Sequence, residues 1–452
     1  MRLTFLGATN TVTGSKFLLS IGEKKILIDC GLFQGLKELR QRNWNKFPID
    51  PHSIDSVILT HAHIDHSGYL PVLIKNGFSG KIYCSNATKE LCAVLLPDSG
   101  YLQEEEAKFA NKYGYSKHKP AVPLYTRVEA EQALLQFRAL EFRKNYKIAE
   151  ETHISLIPAG HILGASFIQV KHYGTTVLFS GDLGRPDDPI MHPPAVMQAA
   201  DYLVLESTYG NRLHKKVNPL DELCDIINRT VKRGGTVVVP AFAVGRAQHL
   251  LYFMYQLKMS KRIPDLPIYL DSPMAKNATD IFRKYTELHR LDAKLSAKVS
   301  EVAKYLTTKE ESQALDQETS PKVIISASGM LEGGRVLHHV KMFAPDPKNT
   351  IVFAGYQAAG TRGADIINGK ESIKIFGETV PVRAEVQVLS NMSAHADYEE
   401  ILQWLRNFNH YPRKVFITHG EPEAAQSLKE KIEEKHKWQC VVPDYLYSEL
   451  LS

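Results

Sequence analysis

A chain of 452 residues is long enough for two or three domains, and its 44% hydrophobic and 23% charged residues exclude a disordered chain. It has no apolar run long enough to span a bilayer and no basic stretch leading into an apolar one, so no membrane span or signal peptide is expected, and a cytoplasmic location is. The formal net charge of +5 permits a polyanionic partner without demanding one.

The chain opens with three β-rich runs, Leu3 to Leu6, Lys16 to Ser20 and Lys25 to Asp29, parted by Gly, Asn and Ser turns. This pattern predicts an antiparallel meander. "SVILT" is a short buried-type strand that ends directly at His61, "TVLFSGD" one that ends at Asp182, and "YLVLEST" one that ends at Glu206. From about 210 to 390 the pattern becomes strand, helix, strand, helix: "TVVVPAF", the helical "GRAQHLLYFMYQLKM", then "PIYLD", "KVIISAS" and "NTIVFAGY". Such alternation predicts a parallel sheet with helices on its faces. Near the end, "KVFITHGE" is a strand reaching His419, and "EAAQSLKEKIEEK" a helix with one apolar face. Residues 111–123 and 309–321 are polar and are expected as exposed connections. The five cysteines, Cys30, Cys84, Cys92, Cys224 and Cys440, form no CxxC pair and are expected as buried free thiols.

The chemistry concentrates after the strands. "LTHAHIDHSGYL" places His61, His63, Asp65 and His66 within six positions behind a buried strand. Imidazole and carboxylate ligands suit zinc, manganese or iron. Four such residues together are hard to read as a merely solvated loop. One hexapeptide cannot complete two metal shells, and the other strand ends supply candidates. His161 lies in "IPAGHILGAS", Asp182 in "LFSGDLGR" and His419 in "FITHGE", each beside glycines that let the backbone turn sharply. Singly each would be an ordinary surface or core residue. As a set they meet the needs of a shared metal edge.

HxHxDH followed by GH, SGD and THG resembles the metallo-β-lactamase superfamily. The resemblance implies an αββα sandwich with a dinuclear site between two sheets. His61, His63 and His161 would then hold one metal, Asp65, His66 and His419 the second, and Asp182 would bridge. Asp29 in "LIDCG" would orient a histidine from behind. The interruption between "ESTYG" and "SAHAD" narrows the choice within the superfamily. It resembles the β-CASP branch, the nucleases related to the cleavage and polyadenylation endonuclease and to RNase J. "LESTYG" supplies the acidic motif at Glu206, "SAHAD" the histidine at His395, and "PAFAVGRAQ", "SASGMLEGGR" and "GYQAAGTRG" look like segments of the insert. The fold expected is therefore α/β, with residues 1–209 and 391–452 forming the split metallo-β-lactamase domain and 210–390 an inserted parallel-sheet β-CASP domain. DNA-repair members tend to carry valine where this chain has His419, which points to RNA. Arg362 departs from the usual place of the last motif's arginine.

What the resemblance implies is a metal-dependent ribonuclease of RNA processing, of the kind that acts at mRNA 3′ ends. It would cut single-stranded RNA with a hydroxide activated by two zinc ions, with manganese as an alternative metal, and leave a 5′-phosphate and a 3′-hydroxyl. An endonuclease is favoured over a 5′ exonuclease. His395 would protonate the leaving oxygen, with Glu206 holding its imidazole and Asp65 completing the catalytic set. Ser326, Ser328 and Gly329 of the Gly-rich turn, with Arg246 and Arg335, would bind phosphate, although a structural turn or a solvated helix face explains each residue as simply. A cleft between the domains would admit a single strand. A homodimer is compatible with all of this. The competing readings are a small-molecule hydrolase of thioesterase or lactamase type, which shares the ligands without needing an insert, and a non-catalytic RNA-binding subunit, against which the complete ligand set speaks.

Overall fold

The computed structural model describes residues 1–114 and 118–452. The chain divides into two compact units, one of residues 1–213 with 395–452, the other of residues 214–394. The turning points lie four residues beyond the expected 209/210 and 390/391.

The first unit contains two sheets of seven strands each among the described residues. One runs in the order Ser448–Leu450, Arg2–Phe5, Phe17–Ile21, Lys24–Ile28, Ser56–Ile58, Lys81–Ser85 and Phe137–Leu140. Its first half is the expected antiparallel meander, and from Lys24–Ile28 onward neighbours are parallel. The other runs Cys440–Val441, Lys414–Thr418, Tyr202–Glu206, Thr175–Phe179, Ser166–His172, Thr152–Pro158 and Tyr146–Ala149. Here the parallel part is the run from Thr175–Phe179 to Cys440–Val441. Period-two alternation gives each sheet an apolar face. Leu3, Phe5, Leu19, Ile26 and Ile28 from the first sheet meet Ile168, Val170, Val177, Phe179 and Phe416 from the second in one buried cluster. Phe5 and Phe416 bring their ring centroids to 5.1 Å across it. Helix Asn86–Tyr113 covers the first sheet, and helix Pro422–His436 covers the second, which completes the αββα layering.

Parallel strands end on the same edge, and this decides where the polar loops collect. Asp29 follows Lys24–Ile28, the His61 loop follows Ser56–Ile58, Asp182 follows Thr175–Phe179, and His419 follows Lys414–Thr418. The two edges are tied together there, because Ser166 donates to the Thr60 carbonyl from both its N–H (2.9 Å) and its hydroxyl (3.0 Å).

The second unit is built on six strands, all paired in parallel, in the order Lys304–Leu306, Ile268–Asp271, Val323–Ser326, Val237–Pro240, Thr350–Phe353 and Glu385–Val388. The four-residue strands are buried end to end at the centre, as the continuous apolar runs require.

Two expected loops are partly helical. Lys309–Gln317 is a helix with a capping box: Thr308 accepts from the Glu311 N–H at 3.2 Å, and Glu311 accepts from the Thr308 N–H at 2.9 Å. Its polar composition hid it because only Ser312 and Leu315 are buried, while T-x-x-E was the available signal. In the 111–123 segment, residues 111–113 complete the long helix. Asn111 there pairs with the backbone of Ala121 at 2.7 and 2.9 Å. Residues 115–117 lie outside the described residues. All five cysteines are buried free thiols, as expected. Among the described residues no helix is long and apolar enough to cross a membrane.

The metal loop is seated by backbone contact. Ser15 N–H donates to the Asp65 carbonyl (2.8 Å), Cys30 N–H to the His66 carbonyl (2.7 Å) and Leu32 N–H to the Ile64 carbonyl (2.9 Å). Gly31 lies so close that a Cβ there would fall 1.5 Å from the Asp65 carbonyl oxygen. Gly31→Ala therefore should destabilise the protein by about 2 kcal/mol or more. Gly333→Ala, where a Cβ meets open space, should melt within about 1 °C of the wild type. Thermal melts of the two variants check this pair.

A candidate metal centre

The loop after Ser56–Ile58 turns into the short helix Ile64–Ser67, and this turn separates its four side chains into two directions. His61 Nε2 lies 3.1 Å from His63 Nδ1, which lies 3.4 Å from His161 Nε2. On the other side His66 Nε2 lies 3.2 Å from His419 Nε2, which lies 3.4 Å from Asp65 Oδ2. Asp182 stands between the groups. Its Oδ2 is 3.4 Å from both His61 and His161, and its Oδ1 is 3.2 Å from His66 and 3.5 Å from His419 Nδ1. The residues expected as ligands thus come together in two groups, His61, His63 and His161 on one side of Asp182 and Asp65, His66 and His419 on the other.

The donor set fits a metal on two physical counts. Ligands at about 2.0–2.1 Å from a tetrahedral ion stand about 3.3–3.4 Å apart, which is the spacing found among these nitrogens and oxygens. In addition, Asp182 Oδ1 is buried and accepts no hydrogen bond, although two imidazoles face it. A cation supplies a buried carboxylate oxygen with a partner beyond the facing imidazole of His66.

Electrostatics prepare the same donors. Burial and the neighbouring His66 hold His61 down at about 3, against the pull of Asp182. Burial likewise depresses His63 and, with His395 adding to it, His161. These rings are therefore neutral and able to ligate. Burial pushes Asp65 and Asp182 up, but the surrounding imidazoles win and hold both well below the usual carboxylate range. His66 behaves oppositely: burial lowers it, yet Asp182, Asp29 and Asp65 hold it well above the ordinary value.

A second layer fixes the rings. Asp29 Oδ2 lies 2.8 Å from His66 Nδ1, so Nε2 is the nitrogen that faces the site. Asp29 in turn accepts from the Thr60 N–H (2.7 Å) and hydroxyl (2.8 Å). Thr208 Oγ1 stands 3.1 Å from His419 Nδ1, and Ser15 Oγ stands 3.3 Å from His66 Nε2. Thr60, Thr208 and Ser15 were missed in the sequence. The signal for two of them was their place inside the motifs "LTHAH" and "LESTYG".

His395 stacks on this cluster with its ring centroid 4.5 Å from that of His161. Its Nδ1 lies 3.1 and 3.2 Å from the two oxygens of Glu206. Glu206 is itself pinned by the Leu183 N–H at 2.6 Å and the Thr208 N–H at 3.3 Å.

The residues expected to bind phosphate lie in the second unit, and several are committed internally. Ser326 donates to the Asp271 carbonyl at 2.8 Å. Arg335 donates to the Asp271 carboxylate at 2.6 Å and to the Thr307 carbonyl at 2.8 Å. Through these contacts it braces the second unit. Ser328 accepts from the Glu332 N–H at 3.2 Å, and Gly329 accepts from Gln357 at 3.1 Å. Gly329 also leaves room for Phe242, whose N and ring atoms lie 2.9 Å from where a Cβ would sit. Arg246 begins helix Arg246–Met259 and is buried. Arg362 clips the Gly-rich turn to the following hairpin through the carbonyls of Leu331 (3.0 Å) and Lys374 (2.8 Å).

Asp182→Asn removes the negative charge that faces both groups of donors. Elemental analysis should find most of the bound metal gone, and the metal-free protein should melt at a lower temperature, because the imidazoles around Asp182, His66 above all, lose the carboxylate that compensates them.

Three family descriptions match the chain: the metallo-β-lactamase superfamily over residues 12–223, the Beta-Casp domain over 247–366, and the Zn-dependent metallo-hydrolase RNA specificity domain over 379–443. The chain is 37% identical over 438 residues to Ribonuclease TTHA0252 of Thermus thermophilus, covering 95% of each protein. It is 33% identical over 462 residues to Transcription termination factor FttA of Methanosarcina mazei, covering 97% of this chain and 69% of that one. A solved structure of a protein of unknown function from Enterococcus faecalis covers 100% of the chain and 99% of its own, with a TM-score of 0.53 and 13% identity, a likeness of fold alone. With the split sandwich, the parallel-sheet insert and the His/Asp cluster in place, the chain belongs to the β-CASP metallo-hydrolase ribonuclease family of the metallo-β-lactamase superfamily.

Proposed function

We propose that this chain hydrolyses single-stranded RNA in the cytoplasm, cutting internally and leaving a 5′-phosphate and a 3′-hydroxyl, with two zinc ions as cofactor and manganese as the alternative. The reading rests above all on the Glu206–His395 pair set against a cluster of metal donors. RNA as substrate draws support from the RNA specificity domain matched at residues 379–443 and from the Thermus thermophilus ribonuclease.

His61, His63 and His161 would hold one ion, and Asp65, His66 and His419 the other. Asp182 would turn one oxygen to each. Such ions lower the pKa of water toward neutrality and offset the charge of the phosphodiester. The protein's own groups do the remaining work. A water that has given up a proton to solvent adds its oxygen to phosphorus as the P–O3′ bond breaks in line. The departing 3′ oxygen takes a proton from His395, whose Nδ1 is held by Glu206. Burial lowers the pKa of His395, but Glu206 and Asp182 outweigh it and hold it at about 9. At neutral pH the ring carries the proton that a general acid needs. Asp29 and Thr208 keep the ligand rings in register, so little reorganisation accompanies the reaction.

The test uses metal-loaded protein and single-stranded RNA labelled separately at each end. The wild type should yield internal fragments. His395→Ala should lose at least about 100-fold in rate at unchanged metal content. Mononucleotides released only from a 5′-phosphorylated end would replace internal cutting with exonucleolytic cutting. Turnover of a thioester or lactam without cleavage of RNA would leave a small-molecule hydrolase, and RNA binding without turnover a non-catalytic subunit.

A pH profile supplies an independent check. A general acid works only while protonated, so the wild-type rate should fall as pH rises through the pKa of His395, at about 9 or below, since nearby cations depress it. His395→Ala should lack this alkaline limb.

A further inference from the structure

The strand Tyr202–Glu206 runs out into the turn "ESTYGNR", residues 206–212, which touches the metal centre at several points. Glu206 holds His395, and Thr208 stands against His419. Tyr209, only 4% exposed, sets its ring beside that of His395, with centroids 6.3 Å and planes 28° apart. The backbone seats the turn: the Gly210 N–H donates to the Ser207 carbonyl at 3.0 Å and the Arg212 N–H to the Tyr209 carbonyl at 3.3 Å. A Cβ on Gly210 would fall 2.3 Å from the Ala424 carbonyl oxygen, so the turn lies hard against helix Pro422–His436. Arg212 is exposed, and its guanidinium lies over the Tyr209 ring at 5.6 Å, within reach of a cation–π contact. Its Nε donates to Asn211 Oδ1 at 3.2 Å, and among the described residues it pairs with no carboxylate. Arg185, in the loop that bears Asp182, is the contrast: its guanidinium is bonded to Glu400 at 3.1 Å.

We propose that Arg212 binds the phosphate next to the scissile one on its 5′ side, a substrate-positioning role that rests on the ribonuclease reading above. In that reading His395 faces the departing 3′ oxygen, so the nucleoside that carries this oxygen lies on the His395 side of the metal donors. The 5′-phosphate of the same nucleoside is the next charge along the strand. Tyr209 flanks His395 and Arg212 lies over Tyr209, so the guanidinium stands along this path. A guanidinium matches the oxygens of a phosphodiester with a planar fork of donors. The Tyr209 ring restrains the side chain without neutralising it, which reduces the rotamer entropy lost when a phosphate binds. An arginine that only braced Tyr209 would act through His395 on the chemical step. One that holds a phosphate acts on binding and on its dependence on salt.

The experiment is a thermodynamic cycle on the metal-loaded full chain. Single-stranded RNAs carrying one uncharged methylphosphonate linkage, placed in turn at each position around the cut, are compared with the all-phosphate RNA, using the wild type and Arg212→Gln. In the wild type, the uncharged linkage should raise KM about 3- to 10-fold when it is the first one 5′ of the cut, the worth of one charged contact at an exposed site. Arg212→Gln should raise KM for all-phosphate RNA by a similar factor, and the same linkage should then add little, the non-additivity of groups that touch. The slope of log KM against log salt should flatten by about 0.7 in the variant, the share of one phosphate on a single strand. Because Arg212 is exposed, the variant should melt within about 2 °C of the wild type. A fall in kcat with KM and the salt slope unchanged, or a large fall in melting temperature, would make Arg212 a brace and overturn the assignment. Independent, multiplying penalties would also overturn it, as would a sensitive linkage only on the 3′ side or none at all. Failure of the wild type to cut any RNA would instead overturn the ribonuclease reading on which the assignment rests.

Discussion

The site depends on one carboxylate. Asp182 is buried, and imidazoles from three separate loops approach it: His61 and His66 from one, His161 and His419 from two others. A lone buried anion would be expelled or protonated. Here the histidines hold it ionised, and in doing so they line up nitrogens around one carboxylate at the spacing a metal ion needs. His61, His63 and His161 are kept neutral while Asp65 and Asp182 are kept charged. The donor set therefore has the protonation that ligation requires before a metal arrives, with His66 the exception that must give up a proton.

That arrangement is held by contacts which are themselves cheap in sequence. Asp29 sits at the end of its strand with a left-handed backbone (φ 58°), and His419 does the same (φ 50°). In both cases the chain leaves the sheet abruptly, and the side chain points back over its edge. Gly31 and Gly181 permit the close approach of neighbouring loops. A Cβ on Gly181, for instance, would meet Thr60 at 2.7 Å. Thr60 then serves twice, bonding Asp29 with its hydroxyl and N–H and accepting from Ser166 of the opposite sheet. Position of the ligands and cohesion of the sandwich are thus carried by the same few residues.

Much of this was legible because ligands follow strands. An apolar run ending in His or Asp announces both the strand and the edge on which the residue emerges, and parallel pairing brings these edges together. The second layer was less legible: Thr60, Thr208 and Ser15 are common residues whose role depends on where a hydroxyl points. The same limit explains the helix Lys309–Gln317. It buries one narrow face, Ser312 and Leu315, and so reads as a surface loop by composition although its capping box is complete.

Of the residues expected to bind phosphate in the insert, Arg335 is engaged within the unit, for a physical reason that bears on function. Arg335 was singled out by charge, but charge says nothing about direction. The guanidinium turns inward to Asp271, a carboxylate that also meets His339 at 2.8 Å and accepts from Ser312. His339 bonds Asp316 with its other nitrogen at 2.6 Å, and two carboxylates hold its pKa up against burial. The result is a buried network in which two cations balance two anions, bracing strand Ile268–Asp271 against helix Val336–Phe343. Removing Arg335 would strand a buried carboxylate, so a loss of activity in such a variant would report on folding of the insert before it reported on RNA.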